Sequence, residues 1–305
     1  MRLTFREKEI LDLLKKEPLI SQEEIAQRFK ITRSSVAVHI SNLMKKGVIL
    51  GKGYVLNEVV SVVVLGNCFL VVDVEDEGEI SSIDINWGGF AFTASQSLAD
   101  FGSSVKIVSL IGHDEQGELI LKQLSQKKID ISNMYRHNKK RTTRQVRHNG
   151  ELLFQEGFSP DDYEKVLNLR EWVLFNCEWL VVEPSWQEYV YRKAMNKDGE
   201  KLPYLCTCLS LEDNQLIPYY LDGFNLLVIG LADIFQFNNY RTRIQELIEA
   251  GMDNCIITDG HSTVLHMNHR GIQEYPLLPN QSFHHAQQLL YLLCGLVHGL
   301  SNNYP

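Results

Sequence analysis

Two domains of different class are predicted, a small helical head and a larger α/β sandwich. Three observations carry this. Residues 1–58 hold 11 Lys and Arg against 7 Asp and Glu, whereas the rest of the 305-residue chain holds 19 against 31. Apolar residues in the first 45 positions recur at helical spacing. From residue 60, continuous apolar runs, several of them ending in Gly, alternate with helical stretches. That alternation is the pattern of a largely parallel sheet covered on both faces by helices. Hydrophobic and charged fractions of 44% and 22% are ordinary for a soluble protein.

In the head, "FREKEILDLLKKEP" places Phe5, Ile10, Leu11, Leu13 and Leu14 on one helical stripe, and Pro18 stops it. Ser21 and Glu24 in "LISQEEIAQRF" have capping-box spacing, and Ile25, Ala26 and Phe29 follow on the inner side. Thr32 is the expected N-cap of a third helix in "KITRSSVAVHISNLMKKG". Its buried stripe is Val36, Ile40, Leu43 and Met44, and Gly47 ends it. "VILGKGYVL" reads as two short strands around a tight turn. Helix, helix, turn, helix and hairpin in that order resemble the winged helix-turn-helix domains of bacterial transcription regulators, over residues 1–58. Short polar side chains and a cation suit a helix that reads base edges. The candidate DNA-binding residues are Thr32, Arg33, Ser34, Ser35, His39 and Asn42, with Lys45, Lys46 and Lys52 for phosphates and Tyr54 on the wing. A small packing domain with solvated charges is the alternative.

The larger domain has buried-strand runs in "VVSVVVLGN", "SVKIVSLIG", "WLVVEP", "PYLCTCLS", "NLLVIG" and "NCIITDG". Helical segments such as "DEQGELILKQLSQKK" and "YRTRIQELIEAG" lie between them. Two hairpins break the alternation, "TTRQVRHNGELLFQEG" around Asn149-Gly150 and "STVLHMNHRGIQEYPL". No run of 18 uninterrupted apolar residues suggests a membrane span, and the N-terminus lacks a signal-peptide core. Six scattered cysteines read as reduced, buried thiols of a cytoplasmic protein.

"WGGFAFTASQSLADFGSSVKIVSLIGHDEQGELILKQLSQKKID" joins Gly88-Gly89, a small-residue helix, a strand, and G-x-D-x-x-G at Gly112, Asp114 and Gly117. This string resembles the N-terminal signature of PfkB/ribokinase-family sugar and nucleoside kinases. The resemblance implies a ribokinase-like αβα sandwich with a small β lid over residues 59–305, the hairpin at Asn149-Gly150 belonging to the lid. It implies ligand binding at Gly88 and Gly89, with Thr93 where the family has an asparagine. The family's substrate-gripping aspartate falls at Val71; Asp73, two residues on, either replaces it or is a solvated carboxylate.

Three further motifs of that family depart from its pattern. Its Gly-Ala-Gly-Asp, which supplies an anion hole and a base, falls at Gln287-Gln288-Leu289-Leu290. No aspartate follows Asp259, the only later acidic residue is Glu274, and Lys and Arg are absent from residues 271–305. Its N-x-x-E falls at Gly230 and Asp233, and its G-x-x-G ends in Thr263. His284 and His285, weighed as a replacement base, read as a solvated helix end and supply no anion hole, and His261, His266 and His269 lack a carboxylate partner for a metal site. No catalytic residue and no metal is therefore expected. The favoured expectation is a homodimeric, cytoplasmic transcription regulator that binds DNA and senses a sugar, nucleoside or their phosphate. The main alternative is an active kinase using ATP and Mg; the third is a pseudoenzyme that binds another protein.

Overall fold

The computed structural model describes residues 4–17, 20–45, 49–51, 55–56, 60–76, 81–197, 201–212 and 215–302. They form two compact units, one within residues 1–59 and the other taking nearly all the remainder.

The first unit has helices α1 (Phe5–Lys16), α2 (Gln22–Phe29) and α3 (Arg33–Lys45), then strands β1 (Ile49–Gly51) and β2 (Val55–Leu56). Thr4 and Ser21 each accept an N–H from the glutamate three residues on, and Glu7 and Glu24 accept the cap N–H in return. Lys30, at φ 52°, ends α2 in the left-handed conformation. Ile10, Leu14, Ile25, Val36, Ile40, Leu43 and Ile49 fill the core. Phe5 and Met44, expected in the buried stripes, are 77% and 44% exposed instead. Phe5 is the first residue of its helix, and Met44 is turned about 100° from its neighbour Leu43. β1 and β2 pair antiparallel as the wing. Lys46, Lys52 and Tyr54, and the side chain of Lys45, lie outside the described residues.

The second unit runs β3 (Val60–Leu65), β4 (Phe69–Asp76), β5 (Ser81–Gly88), α4 (Phe90–Asp100), β6 (Val105–Val108), β7 (Leu110–Gly112), α5 (Glu115–Gln126), β8 (Tyr135–His137), β9 (Arg144–His148) and β10 (Glu151–Glu156). It continues with α6 (Pro160–Leu174), β11 (Cys177–Val182), α7 (Gln187–Met195), β12 (Tyr204–Leu211), β13 (Leu226–Leu231) and α8 (Phe237–Glu249). β14 (Asn254–Thr258), β15 (Thr263–Asn268), β16 (Gly271–Pro276) and α9 (His285–Ser301) complete it. Among the described residues the main sheet has the order β16-β15-β14-β13-β12-β11-β3-β6. β6, β3, β11, β12, β13 and β14 are parallel; β15 and β16 add an antiparallel edge.

Parallel strands buried on both faces need apolar residues at every position. Val62 and Val64 pack with Ala91 and Leu98 of α4, Ile120 of α5 and Leu289 and Leu293 of α9. Val63 and Leu65, one residue out of phase, pack with Leu167 of α6, Val190 of α7 and Ile244 of α8. All six cysteines are buried free thiols, and burial pushes Cys68 up to about 12. Among the described residues no helix is long and apolar enough to cross a membrane, and no group of three His, Cys, Asp or Glu is placed to hold a metal.

The lid is a separate four-stranded sheet, β10-β9-β4-β5. Its β9–β10 hairpin turns at Asn149 and Gly150, both with positive φ, as a two-residue turn requires. β4 and β5 were not recognised as strands in the sequence: β5 is mostly polar and exposed, and the apolar start of β4, Phe69 to Val72, gives way to the acidic Asp73 to Asp76. One lid face is apolar and open: Val72 stands opposite Ile85 and Val146, Val74 opposite Ile83, and Val146 opposite Phe154. Ile83 and Ile85 are 67% and 59% exposed there. "SVKIVSLIG" also divides: β6 stays in the main sheet, while β7 leaves at Ser109 to pair with β8.

Candidate functional site

Two sites emerge, one in each unit. In the first, α3 buries Val36, Ile40 and Leu43, so its outward side is made of the residues between them. Arg33, Ser34, Ala37, Val38 and Ser41 are exposed there. Thr32 caps the helix: its Oγ1 accepts the Ser35 N–H at 3.1 Å and lies 2.8 Å from the Ser35 hydroxyl. Ser35, His39 and Asn42 are half-buried on one flank of the outward face. Arg33 lies 3.8 Å from Glu23, both exposed, a pairing too weak to hold the guanidinium from another anion. Sequence reasoning missed Ala37, Val38 and Ser41, because it looked for polar side chains rather than for the helix face opposite the core.

The second site sits at the carboxyl ends of β3 and β11. The chain leaves β3 on one side for β6 and returns on the other for β11, so these strands flank a switch point in the sheet. Open α/β sheets bind their ligands in the crevice at such a point. Gly66 and Asn67 follow β3, and Glu183 follows β11. The Glu183 N–H donates to Leu65 O at 2.9 Å, which fixes its backbone beside that turn. Its carboxylate accepts the Asn67 N–H at 2.6 Å and the Asn67 side-chain amide at 2.8 Å. The Asn67 Oδ1 accepts the Phe90 N–H at 3.2 Å, and Asn67 O accepts the Ala91 N–H at 3.1 Å. One asparagine thus ties the buried acid to the start of α4.

Gly88 and Gly89 are brought into this cluster. Gly89 has φ +108°, and a Cβ there would collide with the Asn67 carbonyl oxygen. Gly66 is closed in the same way by the Glu183 carboxylate and the Phe90 ring. Thr93 lies one turn into α4, its N–H bonded to Gly89 O. Asp73 is not brought in. In register it lies four residues along β4 from the Phe69–Gly88 pair, about 14 Å away along the strand. There it stands between Asp84 of β5 and Arg147 of β9 on the lid. Asn67 and Glu183 were missed from the sequence: the "WLVVEP" run was taken only as a strand, and its terminal acid carried no local signal.

Burial pushes the Glu183 carboxyl up to about 7, against the opposing bonds from Asn67 and Ser185. Around it, burial raises the Tyr163 hydroxyl, and the Tyr163 and Trp186 rings pack at 4.8 Å. A carboxyl lifted by burial at a crevice marks a candidate binding site. Between about pH 4.5 and 7 the folded chain then binds more protons at Glu183 than the unfolded one, so stability falls as pH rises through that window. Glu183→Gln is expected to remove that slope, improving on the parent by up to about 3 kcal/mol between pH 5 and 8. Urea unfolding of both proteins at the two pH values checks this; parallel pH profiles would refute it.

A second cluster anchors the lid to the body. Asp114 caps α5, accepting the Gly117 N–H at 3.0 Å, the Thr142 N–H at 2.9 Å and the Thr142 hydroxyl at 2.6 Å. Thr142 Oγ1 in turn accepts the Gly112 N–H at 3.0 Å. Cβ atoms at Gly112 and Gly117 would collide with the Arg141–Thr142 backbone and with Gly112 O. The G-x-D-x-x-G spacing is therefore a knot between α5 and the chain entering β9. Burial works to raise the Asp114 carboxyl, and the Thr142 and Gly117 bonds outweigh it, leaving it below the usual carboxylate range.

Residues 6–49 match the family of winged helix-turn-helix DNA-binding domains, and residues 60–164 match the pfkB family of carbohydrate kinases. A relative in Escherichia coli K12, the uncharacterized sugar kinase YeiI, is 38% identical over 140 residues. That match spans 43% of this chain and 38% of the relative's length. Among solved structures, ribokinase from Thermotoga maritima aligns with a TM-score of 0.61 at 15% identity, covering 80% of this chain and 86% of its own. Arabidopsis thaliana ribokinase complexed with ribose and ATP gives 0.59 at 13% identity, covering 81% and 88%. Methanocaldococcus jannaschii nucleoside kinase gives 0.57 at 15% identity, covering 82% and 87%. These likenesses, with the sheet order and lid, show a winged helix-turn-helix domain at residues 6–49 and a pfkB-family segment at residues 60–164 within a unit of ribokinase-like α/β fold.

Proposed function

We propose that this chain is a homodimeric transcription regulator whose pfkB-family domain senses a sugar, nucleoside or their phosphate without transferring a phosphoryl group. The start of α9 is the observation that carries this reading. The helix begins at His285, with the Phe283 N–H on Gly260 O at 2.8 Å and the Gln288 N–H on His284 O at 2.9 Å. Gln287 to Leu290, the positions aligned with the family's anion hole and base, thus fall inside the helix, and Leu289 is 3% exposed in the core. From Gln288 onward the helix amides are committed to its own carbonyls and form no anion hole, so Leu289 and Leu290 offer none.

Asp259, next to the Gly260 carbonyl that meets the α9 start, offers no base. Asp259 is turned into its own loop, accepting the His261 and Ser262 N–H groups and the Ser262 hydroxyl. pfkB kinases use ATP and Mg, and the residues here fit them poorly. Asp233 faces the Phe235 N–H as the cap of a 3-10 turn, and Thr263 is buried with its hydroxyl on Tyr275 O. The Glu183–Asn67–Gly89 cluster supports retained ligand binding: its carboxylate suits ligand hydroxyls, and the bare backbone at Gly88 and Gly89 admits close approach. Val71 and the lid carboxylate Asp73 leave the hydroxyl-gripping role to Glu183.

Homodimerisation belongs to this reading, since one winged helix buries little DNA-facing surface. The open apolar lid face is the kind of surface a second copy covers. A cytoplasmic location follows from a DNA target. The rival reading, an active sugar kinase with a DNA-binding head, draws support from the relative's name and from Glu183, whose carboxyl near 7 suits proton transfer.

One experiment divides them. A panel of sugars, nucleosides and their phosphates is screened by thermal shift, with and without ATP and Mg. A ligand that raises the melting temperature of the parent but not of Glu183→Ala, with no ADP released, is the expected result. ADP release that depends on both the sugar and Glu183 would establish the kinase instead.

A further inference from the structure

We propose that Val38 is a specificity-determining residue of the DNA-binding head, reading the C5-methyl group of thymine in the major groove. This rests on the DNA-binding reading above and adds to it the class of base pair recognised. The buried seam of α3 is Val36, Ile40 and Leu43. At about 100° per residue, Val38 lies about 190° from the centre of that seam, at the outermost line of the helix. It is 58% exposed, an apolar side chain at the position that would enter a groove most deeply.

Its neighbours on that line are small and uncharged. Ser34 is one turn before it, Ser41 nearly one turn after, and Ala37 beside it, all exposed. Small side chains let the helix backbone approach base edges, while Arg33 at the helix start is placed for phosphate. The row offers hydroxyl, branched methyls and hydroxyl in sequence. A major-groove A·T pair presents a methyl group beside hydrogen-bond acceptors and a donor; a G·C pair presents no methyl. Serine hydroxyls pair with either base type, so the valine makes the discrimination. Among the described residues, the other large exposed apolar side chains of the head do not share the line: Phe5 is on α1, and Met44 is rotated well away from it.

The test uses the full chain. Duplexes that bind are enriched from a random-sequence library, and the enriched duplex is remade with uracil replacing thymine at each position in turn. At one or two positions per half-site, loss of the methyl is expected to weaken binding about fourfold, the effect of removing one buried methyl-sized contact. Val38→Ala, exposed and harmless to the core, is expected to abolish that penalty while still binding DNA. If uracil copies bind as tightly as thymine copies, or if Val38→Ala keeps the full penalty, Val38 does not read thymine. If no sequence is enriched, the DNA-binding reading falls, and this proposal with it.

Discussion

Gly89→Ala is expected to destabilise the larger unit by about 3 kcal/mol or more. Two costs combine. The backbone at φ +108° lies in a region open almost only to glycine, and the new Cβ would press on the Asn67 carbonyl. That carbonyl is not free to retreat, because it accepts the Ala91 N–H at 3.1 Å while the Asn67 side chain holds Glu183 and Phe90. Gly150→Ala separates the two costs. Its φ is +82°, but nothing lies within 4 Å of the added atom. It should lose only about 1 kcal/mol. Urea unfolding of both variants is the measurement. If they lose the same stability, the close packing of Asn67 against the glycine turn has no energetic weight. Ligand-induced thermal shifts should also vanish in Gly89→Ala and survive in Gly150→Ala.

Asp114→Ala is expected to remove about 4 kcal/mol and to loosen the lid. A helix N-cap contributes about 1 kcal/mol, and each further bond to a charged acceptor about 1.5 kcal/mol or more when its donor is left unpaired. Here the Thr142 N–H and hydroxyl lose their acceptor together with the α5 cap. Because the folded carboxyl lies below its unfolded value, its stabilisation is complete above about pH 4 and fades as pH falls through the folded value. The gap between parent and variant should therefore narrow in acid. Hydrogen exchange should show faster exchange at Thr142 to Gln145 than in the parent, with the strands of the main sheet unchanged. Uniform exchange across the whole unit would mean that the aspartate stabilises the fold as a whole and does not anchor the lid.

The parts readable from sequence were those governed by local physics. The Ser21–Glu24 box and the Thr32 cap satisfy amides within one helical turn, so their signature is contiguous. The apolar runs of β3 and β11 to β14 follow from burial on both sheet faces, which acts at each residue separately. The Asn149-Gly150 hairpin requires positive φ at two adjacent residues, and that requirement also shows in the residues themselves. β5 escaped notice because its pairing into a half-exposed lid imposes little apolar pattern, and β4, apolar only in its first half, lacked a partner run to mark it as a strand.

The outward face of α3 was half readable. Arg33 and Ser34 are where the sequence suggested, whereas His39 and Asn42 turned onto the flank and Ala37, Val38 and Ser41 took their place. Which residues of a helix face outward depends on where its buried seam points, and polar character alone does not show this. Asp73 illustrates the same limit. Its sequence distance from Gly66 is short, but an extended strand carries each residue about 3.4 Å further from the turn.

By itself the sequence determined the two-domain plan, the sandwich, the caps, and the absence of glycine and aspartate from the start of the last helix. Each is written in neighbouring residues. Only the tertiary structure assembled the candidate site. Asn67 and Glu183 are 116 positions apart, and neither belongs to a recognisable motif. Parallel pairing of β3 with β11 sets their carboxyl ends side by side, and burial there raises one carboxyl to near neutrality. Desolvation is a property of the surrounding fold, so no local pattern records it.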